Sequence, residues 1–283
     1  MSKVRIVADS TCDLPKELLE QYEISVIPLC IVMDDKSYYD GEEVTPDEIY
    51  VWADENKTTP KTAAASFEKV EMVLKPHMEA GEDIIFFGIS SKMSTTCNVI
   101  RLYGEEEEYG RLFIVDSLNL STGIGLQVLK AADMVKEGKT AEEIVSEIEA
   151  ARGRVCASFV VDTLTYLARG GRCSSVTALL GNALKMHPSI VVRDGAMEVS
   201  KKYRGQINSA LLKYTKDMKD DLLNAESNRV FITHSGCSNE TIDKIKEYLE
   251  ELNYFDEILV SRAGGVISSH CGPQTLGVLF YAK

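Results

Sequence analysis

The chain has 283 residues, of which 45% are hydrophobic and 27% charged, a composition typical of a globular protein of about two domains. With 31 Lys and Arg against 44 Asp and Glu, its net charge is −13. An acidic body of this kind does not hold nucleic acid or an anionic membrane by broad charge neutralisation, so an anionic ligand must meet a local site of cationic or hydrogen-bonding groups.

Short runs rich in Val and Ile recur along the whole chain. They predict strands over residues 4–8, 24–32, 84–88, 112–115, 155–161, 189–192, 230–233 and 258–260. Most of these runs are apolar at consecutive positions, which is typical of strands buried on both faces of a parallel sheet.

Amphipathic segments lie between the predicted strands. Apolar residues recur at helical spacing after Ser66, from Ala141, over residues 207–222 and over residues 242–252. Thr45, followed by proline and two acids, predicts a capped helix start. Strands and helices that alternate at this rhythm indicate an α/β fold.

The domain boundary is predicted near residues 153–157, where the alternation restarts after a helix over residues 142–154. This gives an N-terminal α/β domain with a parallel sheet over residues 1–155 and a mixed α/β C-terminal domain over residues 156–283. No linker rich in Pro, Gly or Ser marks the boundary, so we expect a tight interface between the two domains.

The first residues and the cysteines bear on the cellular compartment of the protein. Lys3 is followed by a strand-like run, without the apolar stretch and cleavage site of a secretory signal. No stretch approaches the roughly 18 consecutive apolar residues of a membrane-spanning helix. The 7 cysteines form no CxxC pair and no Cys/His cluster with metal spacing. We therefore expect a cytoplasmic protein with reduced thiols, no integral membrane segment and no bound metal.

Small hydroxyl residues are dense where predicted strands end. Ligands of open α/β sheets bind beyond the carboxyl ends of the strands. The densest cluster, residues 90–96, runs into a predicted helix, and hydroxyls beside a helix N-terminus suit an anion. Residues 58–62, 116–123 and 9–13 repeat the pattern. Ordinary helix capping is the alternative for each cluster, including Asp13 before Leu14 and Pro15.

The second half of the chain contributes cations and a histidine. Arg172 follows a predicted helix end and the pair Gly170-Gly171, and Arg204 ends a basic segment. Arginine binds carboxylate or phosphate in a bidentate fork, although Arg172 could instead offset a helix dipole at the surface. His270 lies among serines and glycines, a setting unusual for core packing.

Two alternatives to a pure binding function stay open. Ser94 and His270 could meet across a cleft as the nucleophile and base of an acyl hydrolase or transferase, although no GxSxG elbow occurs. Nucleotide binding is the other alternative. Gly123 and Gly125 lack the third glycine of a dinucleotide fingerprint, which argues against a nicotinamide site.

Six motifs fall in the order seen in the DegV family, and the chain resembles that family from end to end. The motifs lie at residues 8–15, 39–41, 60–62, 89–94, 161–172 and 270–273. The resemblance implies a bacterial, cytoplasmic protein of two α/β domains that binds a long-chain fatty acid in a buried tunnel between them. It implies no catalytic residue and no cofactor. A separate fatty acid kinase, which brings the ATP, would convert the presented carboxylate to an acyl phosphate.

The resemblance also implies roles for single residues. The side chains that look like partners of the fatty-acid carboxylate are Thr62, Ser94, Thr95 and His270. Those that look like the cleft-mouth arginines for kinase docking or phosphotransfer are Arg172 and Arg204. The chain departs from the family at residues 63–65, which are all alanine, and at Thr95, where the family usually has glycine.

Apolar segments are available for the tunnel wall. Residues 176–180, 184–186 and 190–192 are candidates, with plain core packing as the alternative. At roughly 0.8 kcal/mol per buried methylene, about ten methylenes would contribute some 8 kcal/mol before the costs of ordering.

Overall fold

The structure is a computed structural model that describes residues 3–173, 175 and 186–283. The proposed tunnel segment 176–180 and residues 184–185 lie outside the described residues. Within the described part of the chain, no helix combines the length and the hydropathy needed to cross a membrane.

The secondary structure alternates strands and helices along the chain. The strands are β1 (Val4–Asp9), β2 (Ser25–Ile27), β3 (Cys30–Met33), β4 (Lys36–Tyr39), β5 (Lys61–Ala63), β6 (Asp83–Gly88), β7 (Leu112–Asp116), β8 (Val155–Val160), β9 (Met186–Arg193), β10 (Ala196–Arg204), β11 (Ala225–His234), β12 (Glu257–Arg262) and β13 (Leu276–Ala282). The described helices are α1 (Lys16–Gln21), α2 (Pro46–Asn56), α3 (Phe67–Glu79), α4 (Thr96–Glu106), α5 (Thr122–Lys136), α6 (Ala141–Ala151), α7 (Thr165–Gly170), α8 (Ile207–Asp217), α9 (Lys219–Leu223), α10 (Asn239–Glu251) and α11 (Gly265–Cys271).

Four strands of the first half form a parallel sheet in the order β2-β1-β6-β7. Phe86 and Phe87 are consecutive on β6 and both are fully buried, so helices or other elements cover both faces of the sheet. Parallel alignment places the carboxyl ends of β1, β6 and β7 at one edge. The hydroxyl-rich loops predicted from the sequence therefore emerge together.

A small antiparallel sheet, β4-β3-β5, lies beside the parallel one. The single strand predicted over residues 24–32 is wrong, because the chain divides it between β2 and β3. Pro28 falls in the gap, and proline has no N–H to donate to a sheet ladder. The division places Thr62, on β5, opposite Ile31 of β3.

The second half forms a six-stranded sheet in the order β10-β9-β8-β13-β11-β12. Only β11 and β12 are parallel neighbours, so this sheet is mixed, as predicted for the second half of the chain. Strands β10 and β13 were not predicted. The predicted helix over residues 207–222 is broken at Met218 into α8 and α9.

The two sheets share one hydrophobic core. A single cluster of buried residues contains Phe86 of β6 together with Phe159 of β8 and Leu279 of β13. Polar contacts add to it: Arg229 on β11 donates to Asp133 on α5, with 2.5 Å between Nη1 and Oδ2. The boundary near residues 153–157 stays a prediction.

Candidate functional site

A cavity of about 410 Å³ lies where the loops of the parallel sheet, the end of β5 and helix α11 meet. Its volume falls within the range of about 300–1,000 Å³ typical of small-molecule sites. Apolar side chains form much of its wall, among them Leu29, Ile89, Leu120, Met197, Val266 and Ile267. The polar residues that line it are Thr62, Ser91, Lys92, Ser94, Thr95, Arg172 and His270.

The polar end of the cavity is organised around Thr62 and His270. Thr62 Oγ1 and His270 Nε2 are 2.8 Å apart, although the residues are 208 positions apart in the chain. Burial, together with the positive charge of Arg172, lowers the pKa of His270 to about 4. The imidazole is therefore neutral at physiological pH, and it acts through hydrogen bonds rather than through charge.

Ser94 and Thr95 come from the loop between β6 and α4. Ser94 Oγ lies 2.9 Å from Thr96 Oγ1 and accepts a hydrogen bond from the Thr96 N–H at 3.3 Å. Ser94 therefore contacts the first residue of α4 and also lines the cavity. Thr95 makes no side-chain capping bond to α4 and is exposed. The positive end of the α4 dipole thus lies at the cavity, where it favours an anion.

Arg172 lies at the mouth of the cavity and is exposed. Its Nη1 donates to the carbonyl of Gly170 at 2.8 Å, and its Nε is 3.5 Å from the carbonyl of Met93 in the β6–α4 loop. The contact at the end of α7 satisfies a helix carbonyl, so the dipole role considered from the sequence is present as well. Arg172 thus joins the α7 turn to the loop that carries Ser94.

Arg204 is the last residue of β10, where it pairs with Met186 of β9 and is exposed. It is not among the residues that line the cavity, so the described structure does not bring it to Thr62 and His270.

Two buried carboxylates hold the helix that carries His270, and sequence reasoning missed this function. Asp13 Oδ1 accepts the Gly264 N–H at 2.8 Å, and Asp40 Oδ1 accepts the Gly265 N–H at 2.7 Å. Burial raises the pKa of both carboxyl groups. A Cβ on Gly264 would lie 3.1 Å from Asp13 Oδ1, which explains why glycine suits this helix start.

The expected cap on α1 is wrong. Pro15 is the N-cap of that helix, and no side chain caps it. Asp13 instead reaches the amino end of α11, and its second oxygen, Oδ2, accepts the Ser121 hydroxyl at 2.5 Å. The only hint in the sequence was that Asp13 lies in the motif that follows β1. The partner, 251 positions away, was not visible from the sequence.

A smaller cavity of about 30 Å³ adjoins the first, and Leu120, Ile267 and Cys271 line both. Phe159 and Leu279 of the six-stranded sheet line its other side. The smaller cavity therefore extends the apolar lining from the first cavity to the six-stranded sheet. The predicted wall segment 190–192 lines neither cavity, because Ile190 is core and its neighbours border a different groove.

The geometry does not assemble Ser94 and His270 as nucleophile and base. A nucleophilic serine needs its base within hydrogen-bonding reach. Ser94 Oγ contacts Thr96, and His270 Nε2 contacts Thr62. No hydrogen bond joins Ser94 to His270 in the part of the chain that the structure describes.

Fold and cavity define the class: an α/β protein of two main sheets, with a largely apolar cavity lined in part by hydroxyls and a neutral imidazole. The chain belongs to the DegV family, because the family model described as "Uncharacterised protein, DegV family" matches residues 3–283. A DegV domain-containing protein of Clostridium perfringens is 34% identical over 284 residues, covering 100% of this chain and 99% of that protein.

Solved structures confirm the predicted fold class. A structure described as "Fatty Acid Binding of a DegV family Protein from Thermus thermophilus" is 31% identical, covers 100% of both chains and has a TM-score of 0.88. A stearic acid-binding protein from Eubacterium ventriosum is 28% identical, with a TM-score of 0.85 and coverage of 100% of this chain and 99% of that one. DegV of Bacillus subtilis, described as a fatty acid binding protein, is 26% identical, covers 100% of both chains and has a TM-score of 0.85.

Proposed function

We propose that this protein binds a long-chain fatty acid, with the acyl chain in the apolar cavity and the carboxylate at its polar end. The observation that carries the proposal is the pairing of Thr62 with His270 at the one polar end of an otherwise largely apolar cavity. The fatty-acid-binding descriptions of the solved relatives support it.

The polar end offers a carboxylate neutral donors rather than a salt bridge. The hydroxyls of Thr62, Ser94 and Thr95 can each donate one hydrogen bond, and the amino end of α4 adds its dipole. Burying a carboxylate without hydrogen-bond partners costs free energy, and this set of donors would offset that cost for the head group. The affinity then comes chiefly from the acyl chain, at roughly 0.8 kcal/mol per buried methylene.

The second part of the proposal concerns a partner protein. The bound carboxylate is presented to a cytoplasmic fatty acid kinase, whose ATP supplies the phosphoryl group. A carboxylate oxygen attacks the γ-phosphorus, the bond between that phosphorus and the ADP oxygen breaks, and an acyl phosphate forms. Arg172 and Lys92, both exposed at the cavity, supply positive charge where the phosphates would arrive. Arg204, on the exposed end of β10, is a candidate for kinase docking.

Mass spectrometry of the denatured protein tests the binding proposal. We expect a long-chain fatty acid in the organic extract, and one palmitate or oleate bound per chain when delipidated protein is titrated. An empty extract together with no binding of either fatty acid would refute the proposal.

The kinase step has its own test. Loaded protein is incubated with a fatty acid kinase and ATP, and acyl phosphate is trapped with hydroxylamine. Arg172→Ala should retain its lipid and form less acyl phosphate. Loss of the lipid itself would instead place Arg172 in the carboxylate site.

A further inference from the structure

Gly170, the last residue of α7, lies directly against the ring of His270. A Cβ built on Gly170 would be 2.2 Å from His270 Nδ1 and 3.0 Å from Cε1. A carbon atom cannot approach a ring nitrogen to 2.2 Å, so any residue other than glycine here must displace the imidazole. The ring rests between Gly170 on one side and Thr62 on the other.

The same contact favours one of the two neutral tautomers of the imidazole. Nδ1 is buried, and no described residue gives it a hydrogen-bond partner. A proton on Nδ1 would point at the Gly170 backbone carbon without an acceptor, whereas the bare lone pair tolerates a neighbouring C–H. In the neutral imidazole the proton therefore resides on Nε2, which faces Thr62.

We infer that Gly170 is a positioning residue for the head-group site, because it holds His270 as an Nε2–H donor to Thr62 Oγ1. A threonine hydroxyl has one proton, and the imidazole fills one of its acceptor positions. The proton of Thr62 is then free to point at the ligand. Gly170 thereby determines that Thr62 donates to an anionic oxygen. For its ligand the inference rests on the proposed function.

Gly170 also contacts the mouth of the cavity. Its carbonyl accepts Arg172 Nη1 at 2.8 Å. The next residue, Gly171, ends the helix with a φ of +68°, so the turn that follows α7 is tightly defined. One peptide turn therefore sets the positions of both the head-group histidine and the mouth arginine.

Gly171 provides the matched control variant. A Cβ at Gly171 meets none of the described residues within 4 Å, but its positive φ strains an alanine. Gly171→Ala should lower the urea midpoint without touching the ring. Gly170→Ala should displace His270.

The binding assay compares palmitate with hexadecanol, which has the same chain and no carboxylate. Gly170→Ala should weaken palmitate binding by roughly tenfold to a hundredfold, the effect of losing one hydrogen bond to a charged group, and change hexadecanol binding little. Gly171→Ala should retain the preference for the acid. A folded Gly170→Ala protein with the wild-type preference would overturn the inference.

Nitrogen-15 NMR of the histidine rings tests the position independently of the fatty acid. The chain has 4 histidines, and His270→Gln assigns the signal. Ligand-free wild-type protein should show His270 as the Nε2–H tautomer, and an Nδ1–H tautomer would refute the inference even if Gly170→Ala fails to fold. If the wild-type protein binds no fatty acid, the proposed function fails. The NMR experiment still tests the inference about Gly170, because it measures the His270 tautomer without a ligand.

Discussion

Replacement of Thr62 by valine tests the head-group site most directly, because it removes one hydroxyl and keeps the side-chain volume. That hydroxyl lies 2.8 Å from His270 Nε2. Without it the imidazole N–H loses its acceptor, which should cost about 1–3 kcal/mol of stability. The fatty-acid carboxylate also loses a donor. Hydrogen bonds to charged groups contribute roughly 1.5–3 kcal/mol, so palmitate affinity should fall about tenfold to a hundredfold.

Calorimetric titration of delipidated Thr62→Val protein with palmitate measures this loss. Thr58→Val is the matched control, since Thr58 is exposed and does not line the cavity, and it should bind palmitate as the wild-type protein does. Hexadecanol, which offers no carboxylate, should bind wild type and Thr62→Val with similar affinity. Equal weakening of palmitate and hexadecanol, or no weakening of either, would refute the assignment of Thr62 to the carboxylate.

Four further predictions concern stability. Arg229→Ala removes a side chain that is 11% exposed and contacts two carboxylates, Asp133 on α5 and Glu257 on the neighbouring strand β12, so urea unfolding should show a loss of about 1.5–3 kcal/mol. Arg262→Ala, at 44% exposure with an exposed partner, should cost less than about 1 kcal/mol. Burial raises the pKa of Asp9 from its ordinary value of 3.8 to about 6 in the folded protein. The carboxyl therefore lowers the free energy of unfolding as the pH rises through that interval. Asp9→Asn should remove this pH-dependent fall in the urea midpoint. The pKa of His270, lowered from 6.5 to about 4, acts in the opposite direction: its contribution to stability rises with pH over that interval, and His270→Gln should remove the rise.

The sequence predicted β1, β6 and β7 of the parallel sheet to within a residue or two, because strands buried on both faces are apolar at consecutive positions. It missed β10, in which exposed lysines at 201 and 202 follow apolar positions and hide the strand pattern. It also missed β13, whose apolar run adjoins the glycine-rich segment around His270. Only β10 lacks the consecutive apolar pattern, since β13 is buried at six successive positions.

The head-group site could not be built from periodicity, because its residues come from distant parts of the chain. Thr62 and His270 meet across 208 positions, and only the family resemblance brought them together before the structure did. Asp13 shows the limit clearly. The residues next to it in the sequence suggested a local helix cap. In the structure its buried carboxylate instead accepts the N–H of Gly264, which is distant in the sequence.

The arrangement of charge suits a protein that presents a carboxylate to another enzyme. A bidentate arginine or a lysine at Thr62 and His270 would stabilise the carboxylate as an ion pair and reduce the nucleophilicity of its oxygens toward phosphorus. Hydroxyls and a neutral imidazole hold the group in place with less neutralisation of its charge. Arg172 lies at the mouth of the cavity, where under the proposed function its positive charge would meet the incoming phosphates rather than the resting carboxylate. The net charge of −13 is compatible with the proposed anion site, because that site would depend mainly on dipoles and on one arginine at the proposed point of transfer.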